Sequence, residues 1–338
     1  MGKVNIYDVA KAAGVHRSTV SRALTGSGPV SADKRERVLE AAKRLHYHAN
    51  TLAGALKSRR RNTWGLLSFW ISTPNSSDTY YSKSLGGLLD SANRIGHRLL
   101  LQNVVGRFDG SEECVRFCND SQLAGLVVLA PRASEAALAE LKRLSIPVVL
   151  LAYRATDPEL NFVDLDNVRG AAMATAHLAA RGHKRIAFIG GEREASANAT
   201  DRFNGFLKAL KASGLEARKE LVHHGAFDPN FAVEATLKMF QLPPAQRPGA
   251  VFCATDMMAA AVIRTVEGLG LKVPKDLAVA GFDDNPDAQV PGGLTTIRFP
   301  FFEAAQQAGE TLIRLAADPA CAPQRLLMEP ELIVRGST

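Results

Sequence analysis

Residues 5–24 read NIYDVAKAAGVHRSTVSRAL. Ile6, Val9, Ala10 and Ala13 recur at helical spacing and give one apolar face. Asn5, followed three residues on by Asp8, has the form of a capping box. Gly14 then allows a tight turn. Beyond it Val20, Ala23 and Leu24 point to a small core, while Arg17 with Ser21, and Ser18 with Arg22, stack as i,i+4 neighbours on the opposite face. Two short helices joined by a tight turn, the second displaying hydroxyls and cations, have the layout of a DNA-reading helix-turn-helix.

A third helix is expected from Ser31, which can cap it, with Val38, Ala41, Ala42 and Leu45 as its buried stripe. After Tyr47 the pattern changes. Leu52, Ala53 and Leu56 share a helical face between Asn50 and the run Lys57-Ser58-Arg59-Arg60-Arg61, with too few apolar neighbours for a core. Such a stripe needs a partner: the same segment of a second subunit, the minor groove of a bent duplex where apolar side chains wedge between base steps, or the body of the protein, on which a linker helix docks.

Charge follows the same division. Residues 1–61 hold 13 Lys and Arg against 4 Asp and Glu, a net of +9, and the rest of the chain holds 28 against 30, so the overall +7 belongs to the N-terminal segment. A basic module on a near-neutral body is an electrostatic footprint for phosphate. A membrane-surface helix is the competing reading, disfavoured by the lack of interfacial aromatics.

The 277 residues after position 61 suffice for a large core or two domains. Apolar, β-branched runs recur at 65–71, 99–105, 125–129, 148–151, 186–189, 250–253 and 277–280, with helical patterns between most of them at 85–95, 136–144, 168–178 and 259–269. This alternation predicts a parallel α/β fold, and its two series suggest two doubly wound lobes. Ligands in such sheets bind beyond the carboxyl ends of the strands. Ser72 to Tyr81, Ser196 to Arg202, Thr255 with Asp256, and Asp283 with Asp284 all follow apolar runs. Carboxylates, a guanidinium and aromatic rings converging on a cleft suit a polyhydroxylated ligand. Three structural readings stand beside this one: Arg202 as an ordinary surface helix residue, Asp256 as the N-cap of the next helix, and Asp284 as a structural carboxylate.

DVAKAAGVHRSTVSRAL (8–24), SADKRERVLEAAKRLHYHANTLAGALK (31–57), HLAARGHKRIAFIGG (177–191), DRFNGFLKAL (201–210), GAVFCATDMMAAAVI (249–263), LAVAGFDD (277–284) and LTTIRFP (294–300) resemble the LacI/GalR family of bacterial transcriptional regulators over nearly the whole chain. The resemblance implies a helix-turn-helix headpiece at 1–48, a hinge at 49–61 and a periplasmic-binding-protein-like effector and dimerisation core at 62–338. Three crossings between lobes are placed near Val163, Leu294 and Cys321, giving an N-lobe of about 62–163 and 294–321 and a C-lobe of about 164–293 and 322–338. It implies a homodimer on a pseudo-palindromic operator, a repressor controlled by a small-molecule effector of the sugar class, with an activator or corepressor-dependent regulator as the alternative, and behind these a cytoplasmic solute-binding protein of the same fold, which the basic headpiece disfavours. Tyr7, Arg17, Ser18, Thr19, Ser21, Arg22, Ser31, Tyr47, Asn50, Ala53, Leu56 and Lys57 are the expected DNA contacts, Leu56 in the central minor-groove step and Lys57 on phosphate. Tyr80, Tyr81, Ser196, Asn198, Arg202, Asp256 and Asp283 are the expected effector contacts. The sequence departs from the family at Ala49, Gly54, Ala152 and Thr255. The last two stand where many members carry an acidic residue and an asparagine, which implies an effector other than the commonest sugars.

Enzymatic readings find less support. Gly190-Gly191 follows a strand, but no G-x-G-x-x-G, P-loop or G-x-S-x-G occurs. Among eight scattered histidines, the doublet His223-His224 is expected in a solvated or strand-end role rather than on a metal, and no cofactor is expected. Four cysteines, no signal peptide and no membrane span fit a reducing cytoplasm. The last apolar run, 326–334, is followed by no leucine heptads, so a dimer without a tetramerisation helix is expected.

Overall fold

The computed structural model describes residues 5–25, 28–45, 47, 61–70, 79–105, 116–118, 121–130, 135–193 and 196–338. The expectations for Asn50, Ala53, Leu56 and Lys57, and for positions 72–78, lie outside the described residues. The chain divides into two compact units, Met1–Arg61 and Asn62–Thr338.

The first unit contains α1 (Ile6–Ala13), α2 (Arg17–Thr25) and α3 (Ala32–Arg44). The capping box is formed: the Asn5 side chain accepts from Tyr7 N–H at 2.8 Å, and the Asp8 carboxylate accepts from Asn5 N–H at 2.8 Å. Gly14 ends α1 at φ 64°, a left-handed conformation that glycine adopts without a Cβ penalty. Val9, Val20 and Val38, one from each helix, are fully buried together with Ala13, Ala23, Ala41 and Ala42. Ser31 stands at the N-cap of α3, but its side chain makes no capping hydrogen bond. The capping bond expected of Ser31 is therefore not made, and the first turn of α3 begins without it.

In the second unit the strands among the described residues form two six-stranded sheets. The first contains β1 (Thr63–Trp70), β2 (Arg98–Val105), β3 (Gly125–Leu129), β4 (Val148–Leu151), β5 (Asn161–Leu165) and β11 (Arg325–Met328), in the order β11-β5-β4-β3-β1-β2. The second contains β6 (Ile186–Gly191), β7 (Val222–Gly225), β8 (Ala250–Cys253), β9 (Ala278–Asp283), β10 (Thr295–Arg298) and β12 (Glu331–Ile333), in the order β12-β10-β9-β8-β6-β7. Every pairing is parallel except β10 with β12. The α-helices bounded within the described residues are α4 (Thr79–Arg94), α5 (Glu135–Ala139), α6 (Asn167–Ala180), α7 (Ala197–Ala212), α8 (Pro229–Gln241), α9 (Asp256–Gly268) and α10 (Phe301–Ala317). Burial of both sheet faces explains the unbroken apolar runs: Val127, Leu129, Val149 and Leu151 enter one core cluster, and the alternate Leu126, Val128 and Leu150 enter another.

The chain changes sheet three times: between β5 and α6, between β10 and α10, and between β11 and β12. The second and third crossings lie later than Leu294 and Cys321. Thr295–Arg298 pairs with β9 in the second sheet, and Arg325–Met328 pairs with β5 in the first. The run 326–334 that reads as one apolar segment is cut at Glu329-Pro330 into two strands of different sheets. Pro330 lacks the N–H that a continuous strand would need.

Candidate functional site

In the first unit α2 presents Arg17, Ser18, Ser21 and Arg22 exposed, with Thr19 half-buried. Two neighbours shape this face. Arg17 donates from Nη1 to the Tyr7 hydroxyl at 3.0 Å, and its guanidinium lies 5.5 Å from the centre of the Tyr7 ring, itself 62 % exposed. The Ser18 hydroxyl pairs with His16 Nδ1 at 2.9 Å. Both contacts restrict side-chain rotamers before any ligand arrives, which lowers the entropy cost of binding. Tyr47 is half-buried against the three-helix core and Ser31 is exposed at the start of α3. Tyr7 and His16 thus support the face from behind; the sequence singled out Tyr7 but not His16.

In the second unit each sheet has the strand order 2-1-3-4-5 of a doubly wound fold, and the switch points lie at β1/β3 and β6/β8. Three of the expected effector residues meet beyond the ends of β8 and β9. Arg202, on α7 and only 8 % exposed, donates from Nε to Asn167 Oδ1 at 2.8 Å and from Nη1 to the Ala254 carbonyl. Its Nη2 lies 3.5 Å from Asp283 Oδ1, and its guanidinium carbon sits 3.8 Å over the Phe282 ring. Asp283 ends β9 at φ 117°, and Asp284 follows at φ 52°. Non-glycine residues at such angles carry strain, and strain of this kind concentrates at functional sites.

Asp256 and Asp284 are engaged by the protein itself. Thr255, not Asp256, is the N-cap of α9, accepting from Met258 N–H at 3.3 Å. Asp256 instead turns inward and accepts from the Thr296 hydroxyl at 2.6 Å and from Asn285 N–H at 2.7 Å. Burial, and secondarily the Asp283 charge, push its carboxyl well above the usual range against those two bonds. Asp284 is gripped by Arg298 Nε at 2.8 Å and Arg335 Nη2 at 2.7 Å. Burial works to raise its pKa, but the two guanidiniums win and hold it below the ordinary value. It therefore fastens the β9 end to β10 and to the C-terminal segment.

The other expected residues fall into two groups. Ser196 is the N-cap of α7, accepting from Ala199 N–H at 3.4 Å, and Asn198 in the first turn donates to the Ala152 carbonyl at 3.0 Å. Tyr80 meets Phe301 edge-on at 4.7 Å. Tyr81 is hydrogen-bonded to Asn103, and burial raises its pKa against that bond. Asn167, Phe282 and Thr296 were not read from the sequence as site residues. Asn167 had one visible signal, the polar DLDN at 164–167 ending an apolar run. Among the described residues no group of three His, Cys, Asp or Glu stands where it could hold a metal, and no helix is long and apolar enough to cross a membrane.

A basic helix-turn-helix unit followed by a two-lobed α/β unit with a polar junction defines a ligand-responsive DNA-binding regulator. Residues 5–50 match the bacterial regulatory proteins of the lacI family, and residues 175–338 match the periplasmic binding protein-like domain. Catabolite control protein A of Priestia megaterium is 31 % identical over 92 % of this chain and 92 % of its own length. The transcriptional repressor PurR of Erwinia tasmaniensis is 31 % identical over 98 % of this chain and 96 % of its own. The chain belongs to the LacI family of transcriptional regulators and, like its relatives, is not an enzyme. Among solved structures, the Lac repressor dimer bound to operator and the anti-inducer ONPF superposes with a TM-score of 0.87 at 26 % identity, covering 100 % of this chain and 99 % of that one. The regulator CelR in complex with cellobiose gives 0.74 at 28 %, covering 99 % and 100 %.

Proposed function

We propose that the protein is a homodimeric repressor that reads a pseudo-palindromic operator with α2 and is controlled by a hydroxyl-rich small molecule of the carbohydrate class bound between its lobes. The observation that carries the DNA reading is the exposed quartet Arg17, Ser18, Ser21 and Arg22, with Arg17 already aimed by Tyr7. Arginine pairs bidentately with guanine in the major groove, and hydroxyls contact either bases or phosphates. The hinge residues Asn50, Ala53, Leu56 and Lys57 are assigned to the minor groove and phosphates from their sequence alone.

For the effector, Arg202 and Asp283 form an adjoining cation and anion with Phe282 beside them, a set that offers both donors and acceptors to hydroxyls and has no excess of charge. Ser196, Asn198, Asp256, Tyr80 and Tyr81 are proposed around them, Asp256 acting through the shape of the β9 end. The likeness to the cellobiose complex supports a sugar, and the likeness to the Lac repressor dimer supports a dimer. Leu89, Leu100 and Leu101 are between 39 % and 42 % exposed, apolar surface that a second copy would cover.

The test is selection of bound duplexes from a random DNA pool, followed by titration of the enriched site. Enrichment of a palindrome whose affinity falls about tenfold or more in Arg22→Ala, about 1–3 kcal/mol of base discrimination, is the expected result. Salt-sensitive binding with no sequence preference would overturn it. A panel of mono- and disaccharides, screened for a change in affinity at that site, then tests the effector class.

A further inference from the structure

α7 carries two faces of different use. Arg202 points to the ends of β8 and β9, while Asn198 and Asp201, three residues apart, point to the first lobe. Asp201, with a side chain 5 % exposed, receives a two-pronged bond from Arg154: Nε to Oδ2 at 2.7 Å and Nη2 to Oδ1 at 2.6 Å. Asn198 donates to the carbonyl of Ala152, two residues before Arg154, at 3.0 Å. Residues 152–155 belong firmly to the first lobe. The Ala152 N–H bonds the Val163 carbonyl of β5 at 2.8 Å, Tyr153 and Ala155 are buried, and Arg325 of β11 donates to the Ala155 carbonyl at 2.8 Å. The two lobes are therefore joined by three covalent crossings and, independently of them, by a parallel pair of bonds from one helix face to one rigid loop.

We propose that Arg154 and Asp201 are an inter-lobe latch that sets how far the cleft opens, with Asn198 as its second catch. Asp201 precedes Arg202 in the chain, so the latch also fixes the helix turn from which Arg202 reaches the cleft. The bidentate fork is directional as well as charged, so small rotations between lobes break both prongs. An effector that binds best at one opening gains or loses affinity according to how this pair weights that opening. The latch gives the proposed effector control its moving part, and it rests on that reading only for its biological consequence; the opening itself is measurable without any effector or DNA.

The experiment is a spin-label distance measurement on the full chain without ligand. Labels are carried by ketone-bearing side chains at Asn93 on α4 and Lys211 on α7, both exposed, so the native cysteines stay unmodified. The latched protein is expected to give one dominant, narrow distance with a small share of a second, longer or shorter one. Arg154→Met and Asp201→Asn should each raise the share of a second distance about tenfold, and the double variant should be no further shifted than either single one, the signature of one shared interaction. Arg154→Lys, which keeps the charge and loses the fork, should fall between; it serves as the readout if a neutral variant fails to fold. Unchanged distributions in the folded variants, or shifts that simply add in the double variant, would overturn the latch. Neither result would touch the DNA selection or the sugar screen.

Discussion

At the scale of single residues, Asp283 and Asp284 are chain neighbours that the backbone sends to different tasks. Both sit at positive φ, so their carboxylates diverge: one towards Arg202, the other towards Arg298 and Arg335. The angles make a stability prediction. Asn keeps the shape of Asp, whereas a β-branched residue at positive φ is a steric outlier, so Asp283→Val should lower the unfolding free energy by about 1–3 kcal/mol more than Asp283→Asn, which removes the same charge beside Arg202. Urea unfolding of the two variants checks this. The same Asp283→Asn change should weaken effector binding about tenfold, since a charged acceptor is worth more than a neutral one. The structural duty of Asp284 was legible in the sequence, but its partners were not: they lie 14 and 51 residues away and are brought in by β10 and the C-terminal segment. The mistaken N-cap at Asp256 has a similar cause. Thr255 and Asp256 are both good caps, and only the Thr296 hydroxyl across β10 shows which of them turns inward.

Among elements, the strands that the sequence disclosed are those written as runs of apolar residues, whether central and buried like β3 and β4 or at the sheet edge like β2, where Leu100 and Leu101 are exposed. Those it did not disclose are β5, β7 and β10, whose residues NFVDL, VHHG and TTIR break the run with Asp164, a histidine pair or threonines. His224 sits at such a strand end as expected, packed edge-on to Phe203 at 4.6 Å. How the helices meet was also hidden, because a glycine within a helical pattern reads only as a weak point. Gly205 on α7 and Gly87 on α4 are points of close crossing: a Cβ at Gly205 would overlap the Val168 carbonyl of α6, and one at Gly87 would overlap the Phe302 carbonyl of α10. Gly268, the last residue of α9, has nothing within 4 Å. Gly205→Ala and Gly87→Ala should therefore each lower stability by about 1–3 kcal/mol through forced separation of the helices. Gly268→Ala should raise it by about 0.4–1 kcal/mol by restricting the unfolded chain. Thermal unfolding of the three variants side by side separates packing from chain entropy, since the substitution is chemically the same in each.

The whole molecule depends on polar groups buried where the lobes join, and their titration should be visible in its stability. Asp164 is 1 % exposed near the end of β5, with Oδ2 bonded to Asn167 at 3.1 Å and, among the described residues, no hydrogen-bond partner for Oδ1. Burial raises its pKa to about 7, opposed by the Leu165 backbone bond, the Arg202 charge and Asn167, and aided by Asp201. The folded state therefore keeps a proton that the unfolded chain releases near 4. Proton linkage then makes this group's contribution to stability full below about 4, falling between about 4 and 7 by up to about 1.4 kcal/mol per pH unit, and flat above 7. Four histidines, His177, His183, His223 and His224, have pKa values lowered chiefly by burial, so they act in the opposite sense over part of the same window. Asp284, held low, contributes only in more acidic solution. The informative quantity is accordingly the difference between the native protein and Asp164→Asn, in which the histidine terms cancel. Asn has the shape of the protonated acid and does not titrate, so the variant should gain on the native protein progressively from pH 4.5 to pH 7, by about 2 kcal/mol or more across that span. A difference that stays constant with pH would mean that Asp164 is ionised throughout, stabilised by Arg202 across the junction. The charge balance inferred for the cleft would then need one more anion.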